Sequence, residues 1–258
     1  MTVSLCIPTY NRPALLRVAI DSALAQTEPP AEILVGDDSP GRETETMVTE
    51  LGQNAALPIR YLREGAPLGQ AANVERLFRE ATGERLILLH DDDLLLPSAL
   101  ATLEAAFQSD SAVVAAYGKQ LVLSEAGAPD EAASERLNRD YRRTSAYAGP
   151  QPSALKAALL QQFPNDGYMV ATAVARRVGY RIAGVRDACD FAFAINLARA
   201  GGRFVFVDSY TTGYRMTAES VSRSRGDRSA WEALRLVLAA PDIDKEDAEV
   251  KGWLARQL

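Results

Sequence analysis

The stretch Gly83-Glu84-Arg85-Leu86-Ile87-Leu88-Leu89-His90-Asp91-Asp92-Asp93 decides how the chain is read. Residues 85–89 form a short apolar run bounded by a glycine, the pattern of a buried strand. The strand runs straight into three carboxylates. Pro97 then opens a helix over residues 98–107. A buried strand that ends on acids delivers charge to one edge of a sheet.

Upstream, the same grammar repeats. Val3 to Pro8 reads as a buried strand, with Val3, Leu5 and Ile7 apolar and Pro8 closing it. A helix follows, with Asn11 as candidate N-cap and Pro13 in its first turn. Leu15, Leu16, Ala19, Ile20, Ala23 and Leu24 recur at helical spacing until Pro29-Pro30. Glu32 to Gly36 is a second strand and ends on Asp37-Asp38-Ser39-Pro40-Gly41, a turn cluster. Residues 44–51 form a short helix, 59–62 a third strand and 71–81 a helix with Val74, Leu77 and Phe78 on one face. This alternation defines an α/β fold with a mostly parallel central sheet flanked by helices. Ligands of such sheets bind beyond the carboxyl ends of the strands. Asn11, Asp38 and Asp91 to Asp93 all fall there, so three remote segments converge on one edge.

The second half is less regular. A strand is expected over residues 112–123. Residues 124–152 read as a long polar loop with a short helix near 131–137, the kind of segment that orders over a bound ligand. Helices follow over 153–161, 190–201, 231–240 and 247–258. A strand-like run covers 167–176, and another strand covers 204–207. Asn165, Asp166 and Tyr168 are polar enough to touch a sugar or peptide hydroxyl, and a solvated loop is the plain alternative.

Composition narrows the classes. The 258 residues fit one large domain or two merged halves. With 47% hydrophobic and 24% charged residues, the chain can bury a core without staples. A net charge of −6 argues against nucleic-acid binding, which needs clustered Lys and Arg. The two cysteines, Cys6 and Cys189, sit in apolar runs and read as buried thiols. No stretch approaches the roughly 18 apolar residues of a membrane span. Met1 to Leu5 lacks the basic start of a signal peptide. A cytoplasmic location is the expectation, and contact with the inner membrane face needs no spanning helix.

Three adjacent carboxylates raise one another's pKa. A divalent cation relieves that, and Mg2+ or Mn2+ prefers carboxylate oxygen. A solvated acidic turn capping the next helix is the plain alternative. Asp37-Asp38 can accept from a base N–H or a ribose hydroxyl, or simply make an Asx turn. Tyr10 can stack on a base, and the same segment can serve only as a strand end and helix cap.

Together, Ser4-Leu5-Cys6-Ile7-Pro8-Thr9-Tyr10-Asn11-Arg12, Val35-Gly36-Asp37-Asp38-Ser39, residues 69–73 and residues 83–93 with Pro97 behind resemble the family-2 glycosyltransferases of bacterial type. Order and spacing match over about residues 3–107 and more weakly to about 222. The resemblance implies a GT-A-like, Rossmann-type fold with an irregular acceptor-binding second half. Residues 1–110 would be the nucleotide-sugar-binding half and 111–258 the acceptor-binding half of one continuous domain. It implies a nucleotide-sugar donor, UDP- or dTDP-linked, an acceptor it does not identify, and a Mn2+ or Mg2+ cofactor. Pro8, Tyr10 and Asp38 would hold the nucleoside, with Thr9, Asn11, Arg12 and Asn73 in the same set. Asp92 would be the last acid of the DxD motif and the main metal contact, with Asp91 beside it facing the sugar or ribose. His90 stands where the family commonly has Asp, and Ala72 where it has Arg. Cys189-Asp190 matches the segment that carries the general base, making Asp190 the base and Asp187 the runner-up. Tyr214-Arg215-Met216-Thr217, with Ser220 and Ser222, resembles a Tyr-Arg-x-His segment. Arg215 keeps a positive charge for the diphosphate, and Thr217 replaces the His.

Two other readings fit parts of the sequence. A nucleotidyltransferase shares the sheet and the acids but wants an early glycine-rich loop, and residues 8–12 hold no glycine. A non-catalytic sugar-nucleotide-binding module is the other, motivated by His90, Ala72, Cys189 and Thr217.

Overall fold

Val3–Thr9 forms strand β1, buried along its whole length. The computed structural model describes residues 2–217, 221–244 and 247–257. The further strands are β2 (Glu32–Asp37), β3 (Ile59–Arg63), β4 (Arg85–Leu88), β5 (Leu94–Leu95), β6 (Val113–Leu123), β7 (Gly149–Pro150), β8 (Tyr168–Ala171) and β9 (Arg203–Arg215). The helices are α1 (Pro13–Leu24), α2 (Glu43–Asn54), α3 (Gln70–Glu80), α4 (Ala99–Ser109), α5 (Glu131–Asp140), α6 (Ala154–Leu159), α7 (Thr172–Val178), α8 (Cys189–Arg199), α9 (Val221–Ala239) and α10 (Ala248–Gln257).

Among the described residues, nine strands make one sheet in the order β3-β2-β1-β4-β8-β6-β9-β5, with β7 added beside β9. β1 pairs in parallel with β2 and β4, so Thr9, Asp37 and the residues after Leu88 end at one edge. Antiparallel β8 sits between β4 and β6, so residues 166–167 arrive at that edge from the opposite direction.

Strand alternation feeds two helical layers. Leu5, Ile7, Ile33, Val35 and Ile87 face α1, α2 and α4. Cys6, Leu34, Leu86 and Leu88 face the other layer, where α3, α6 and α8 pack with Phe78, Phe163 and Phe193. Cys6 and Cys189 are both buried free thiols. No helix among the described residues is long and apolar enough to cross a membrane.

Several expectations change in the structure. Asn11 does not cap α1: Arg12 holds that position without a side-chain cap, and Asn11 takes a left-handed φ of 56°. The run 167–176 is a four-residue strand followed by α7, where Arg176 donates to the carbonyls of Phe78 (3.0 Å) and Arg79 (2.9 Å) at the end of α3. That contact is tertiary and leaves no periodic trace. β9 extends to Arg215 because its polar second half pairs with β6.

Residues 124–152 are not an open loop. α5 lies along β6, and its side chains imitate a neighbouring strand. Asn138 accepts from Gln120 N (3.1 Å) and donates to Gln120 O (2.8 Å), while Ser134 Oγ accepts from Val122 N (2.8 Å). These bonds satisfy backbone groups that burial would otherwise strand.

Gly36 in β2 shows how tightly the site's scaffold is packed. A Cβ there would lie 2.4 Å from Asn73 Oδ1 and 3.1 Å from Leu77 Cδ1. Gly36→Ala is expected to destabilise the protein by about 1–3 kcal/mol, the usual cost of overpacking. Thermal unfolding checks this, and an unchanged melting temperature would show that α3 yields freely.

Candidate active site

The acidic run divides by direction. Asp91 turns toward β1: its Oδ2 accepts from Thr9 Oγ1 (2.7 Å) and from Tyr10 N (3.4 Å), and its Oδ1 accepts from Arg12 Nη1 (3.4 Å). Burial is the largest cause raising its pKa, against the pull of the Thr9 hydroxyl. Asp92 accepts from Arg12 Nη1 at 2.7 Å. Asp93 is 2% exposed, and its Oδ1 accepts from Arg215 N (2.7 Å).

His90, Asp92 and Asp93 each place a ligand atom within 4.8 Å of the others. Asp91, expected beside Asp92 as a metal contact, is not part of that group. His90 Nε2 and Asp93 Oδ2 are buried and have no hydrogen-bond partner among the described residues. Burial first, then the charges of Asp166 and Asp92, push the Asp93 pKa well above the usual carboxylate range. Orphaned polar atoms and crowded acids are what a divalent cation would resolve, and one imidazole with two carboxylates suits Mn2+. The residues present fit such an ion.

The residues expected to meet the nucleoside lie at the ends of β1 and β2. Pro8 is buried, and Tyr10 is 56% exposed at the strand end, a free aromatic face. Asn11 N donates to Ser39 Oγ (2.8 Å), and Ser39 N donates to Asp37 Oδ1 (2.8 Å), so the two strand ends are tied. Asp37 also accepts from the Tyr61 hydroxyl (2.7 Å). Asp38 is buried and accepts from Leu68 N (3.1 Å) and Gly69 N (2.8 Å), which shapes the loop beneath Tyr10's strand end. Asn73 differs from expectation. It is buried, donates to Gly36 O (2.7 Å) and accepts from Arg76 Nη2 (2.9 Å), so its amide joins α3 to β2.

Beneath the run lies a floor that the sequence did not reveal. Asp166 and Tyr168, read as acceptor contacts, are fully buried. Asp166 Oδ2 accepts from His90 N (3.0 Å), and its Oδ1 accepts from Gln120 Nε2 (3.3 Å). Arg143 is buried behind them and donates to Gln162 O (2.8 Å), Gln161 O (3.1 Å) and Gln120 Oε1. Burial lowers its pKa to about 10, so it stays charged at neutral pH. Arg215 is also buried. It donates to the carbonyls of Asp92 (2.9 Å) and Glu125 (3.0 Å) and so braces the acidic run from behind. Thr217 is buried with its hydroxyl unpartnered among the described residues. Ser220 lies outside the described residues, and Ser222 falls in α9.

Asp190 sits in the first turn of α8, and its Oδ1 accepts from Phe191 N (2.9 Å). Burial raises its pKa, while the Phe191 N–H and the charge of His90 pull it down and Asp166 pushes it up. Its carboxylate therefore belongs to the same electrostatic neighbourhood as the acidic run. Asp187, the runner-up, instead lies 3.6 Å from Arg228 of α9. The loop before α8 is gripped by α9: Glu232 Oε2 accepts from the backbone N–H groups of Arg186 (3.0 Å), Asp187 (2.8 Å) and Ala188 (3.1 Å).

A sheet whose strand ends gather an exposed aromatic ring, a buried acid and three grouped ligand atoms is an open α/β sheet of the kind that binds ligands beyond the carboxyl ends of its strands. The family model for glycosyl transferase family 2 matches residues 4–151, more than half the chain. The chain is a member of that family. A GalNAc(5)-diNAcBac-PP-undecaprenol β-1,3-glucosyltransferase of Campylobacter jejuni is 30% identical over 165 residues, 62% of this chain and 53% of the relative. An abequosyltransferase of Salmonella typhimurium is 31% identical over 113 residues, 43% of this chain and 34% of its own. The chain thus spans about half the length of the first of these relatives, and less of the second. Among solved structures, an S. aureus TarS fragment with UDP-GlcNAc superposes with a TM-score of 0.71 at 15% identity, covering all of this chain and 72% of that one. A mannosyltransferase from Pyrobaculum calidifontis with GDP-Man and Mn2+ gives 0.73 at 17% identity, over 99% of this chain and 69% of that one. These likenesses establish the GT-A fold, a mixed α/β architecture with six of nine strands pointing the same way.

Glu232 supplies a prediction with a sign. Burial opposes its ionisation, but three backbone N–H groups outweigh that and lower its pKa. A lowered folded pKa gives stability that is present above the unfolded value, about 4.3, and lost as pH falls through the folded one. Glu232→Gln should lower the melting temperature at pH 7, and the gap to wild type should close in acid below about pH 4. A gap that widens in acid would contradict the grip.

Proposed function

We propose that the chain transfers a sugar, with inversion, from a nucleoside diphosphate donor to an acceptor hydroxyl. One observation carries this reading. The His90, Asp92 and Asp93 group, with two buried ligand atoms unpartnered among the described residues, follows directly on Asp91, which accepts from Tyr10 N, and His90 acts electrostatically on the half-buried carboxylate of Asp190.

Tyr10 offers its exposed ring to the base, and the Asp38 carboxylate, with lone pairs beyond the two it uses, accepts from a pyrimidine N–H. That favours a UDP- or dTDP-sugar. His90, Asp92 and Asp93 would hold a divalent cation, which when bound offsets the charge on the departing diphosphate. Asp190 acts as general base. Its carboxylate takes the proton of the acceptor hydroxyl as that oxygen bonds to the anomeric carbon. The bond from that carbon to the diphosphate oxygen breaks, and the nucleoside diphosphate leaves. The proton on Asp190 then returns to solvent. Burial prepares Asp190 for this task, since a raised pKa strengthens the base. Asp91, Thr9 and Arg12 are joined by hydrogen bonds, a rim that would meet the ribose and diphosphate. The C. jejuni relative, named for a glycan on undecaprenyl diphosphate, supports a lipid-linked saccharide as acceptor.

Melting curves with UDP, dTDP or GDP plus Mn2+ test the donor class. At about 100 times Kd a ligand adds about 2.7 kcal/mol of stability, so a rise of several degrees is expected with UDP or dTDP. No rise with any nucleotide would refute the reading. Asp190→Asn should keep the nucleotide-dependent rise while turnover falls by about 100-fold or more. Retained turnover would remove Asp190 as the base. In the wild type, the acid limb of kcat should lie above the ordinary aspartate range, because loss of activity follows protonation of a base with a raised pKa.

A further inference from the structure

Arg12 connects the two sides of the site. It follows the left-handed Asn11 at the N-cap of α1, a turn that sends its guanidinium across the strand ends. Nη1 lies 2.7 Å from Asp92 Oδ2 and 3.4 Å from Asp91 Oδ1. All three side chains are largely shielded, at 24%, 14% and 10% exposure, so solvent screens these pairs poorly. Burial lowers the guanidinium's pKa, and the two carboxylates outweigh that and raise it.

Asp92 therefore serves two partners. It is the carboxylate shared between the Arg12 pair and the His90, Asp92 and Asp93 group. A guanidinium and a divalent ion on one carboxylate repel each other. A diphosphate removes that conflict, because its oxygens suit the guanidinium's planar fork as well as a carboxylate does. Arg215 cannot take this role, since its guanidinium is buried against main-chain carbonyls.

We propose that Arg12 is a resident counter-cation for Asp92 that couples metal loading to donor loading. In the free protein it holds metal affinity down. When a nucleotide sugar enters, Arg12 turns to the diphosphate and Asp92 becomes available to the ion. Metal and nucleotide then bind with positive coupling, each tightening the other by the same factor. The inference rests on the reading of Asp92 as a metal carboxylate.

The test is Mn2+ binding, followed by calorimetry or by the electron paramagnetic resonance signal of free Mn2+, with and without UDP. Wild type, Arg12→Ala and Arg12→Lys are compared, with melting curves to confirm folding. In wild type, UDP should tighten Mn2+ by about tenfold or more, within the usual range of coupling. Arg12→Ala should bind Mn2+ alone about tenfold more tightly than wild type and lose most of the coupling. Arg12→Lys, which keeps the charge, should stay near wild type for Mn2+ alone. Equal or weaker binding of Mn2+ alone by Arg12→Ala would overturn the inference while leaving the metal reading intact. If wild type and both variants bind UDP but no Mn2+ under any condition, the metal reading itself fails and takes this inference with it.

Discussion

Five carboxylates crowded at one sheet edge are the constraint on which this structure turns. Asp91, Asp92, Asp93, Asp166 and Asp190 come from three separate segments and act on one another electrostatically. Buried acids of like charge are tolerated only when cations or protons offset them. Three arginines do part of this: Arg12 at the front, Arg215 behind the run and Arg143 in the floor. Three positive charges against five negative ones leave a deficit of two, which a divalent ion would match. Burial first, and neighbouring carboxylates after it, raise the pKa of Asp93 and Asp190.

The fold exists to hold that edge together. Parallel pairing of β1 with β2 and β4 brings Thr9, Asp38 and Asp91 within one neighbourhood. Antiparallel β8 then adds Asp166 from the other direction, and its carboxylate caps the backbone N–H of His90. A purely parallel sheet would not deliver a residue preceding a strand to this edge. The α9 helix completes the arrangement by fixing the loop that leads to Asp190. Thus the grouping of Thr9, Asp38 and Asp91 depends on strand order, the Asp166 contact to His90 on a strand reversal, and the placing of Asp190 on a distant helix.

How much of this the sequence disclosed follows from the kind of signal each part leaves. The first four strands alternate faces as cleanly as their apolar residues promised, because both faces are covered by helices. Asp38, Tyr10 and the acidic run stand at strand ends, where short motifs survive in sequence. Asp93's place in the metal-ready group was not legible, since three adjacent acids look alike until the backbone turns them. Asp91 faces Thr9, while Asp93 faces inward. Asn73 was read as a ligand contact because it lies in a motif, yet its amide is spent on Gly36 and Arg76. Arg143 and Gln120 left no signal at all, and Asp166 signalled only a polar contact. Arg143 and Asp166 lie in irregular segments, where polar residues ordinarily face water, and Gln120 lies on the interior strand β6; only tertiary packing joins them into a floor. The α5 segment misled for the same reason: Ser134 and Asn138 bond to β6 rather than to solvent.

The position of the metal tests this charge-balance view most directly. Crystals of the protein grown with UDP and Mn2+, measured at the manganese edge, would show the ion by its anomalous scattering. The predicted result is one peak bonded to Asp92, with Asp93 or His90 completing the protein's share and the diphosphate oxygens on the other side. A peak held by Asp91 instead, or a diphosphate bound with no ion near residues 90–93, would contradict it.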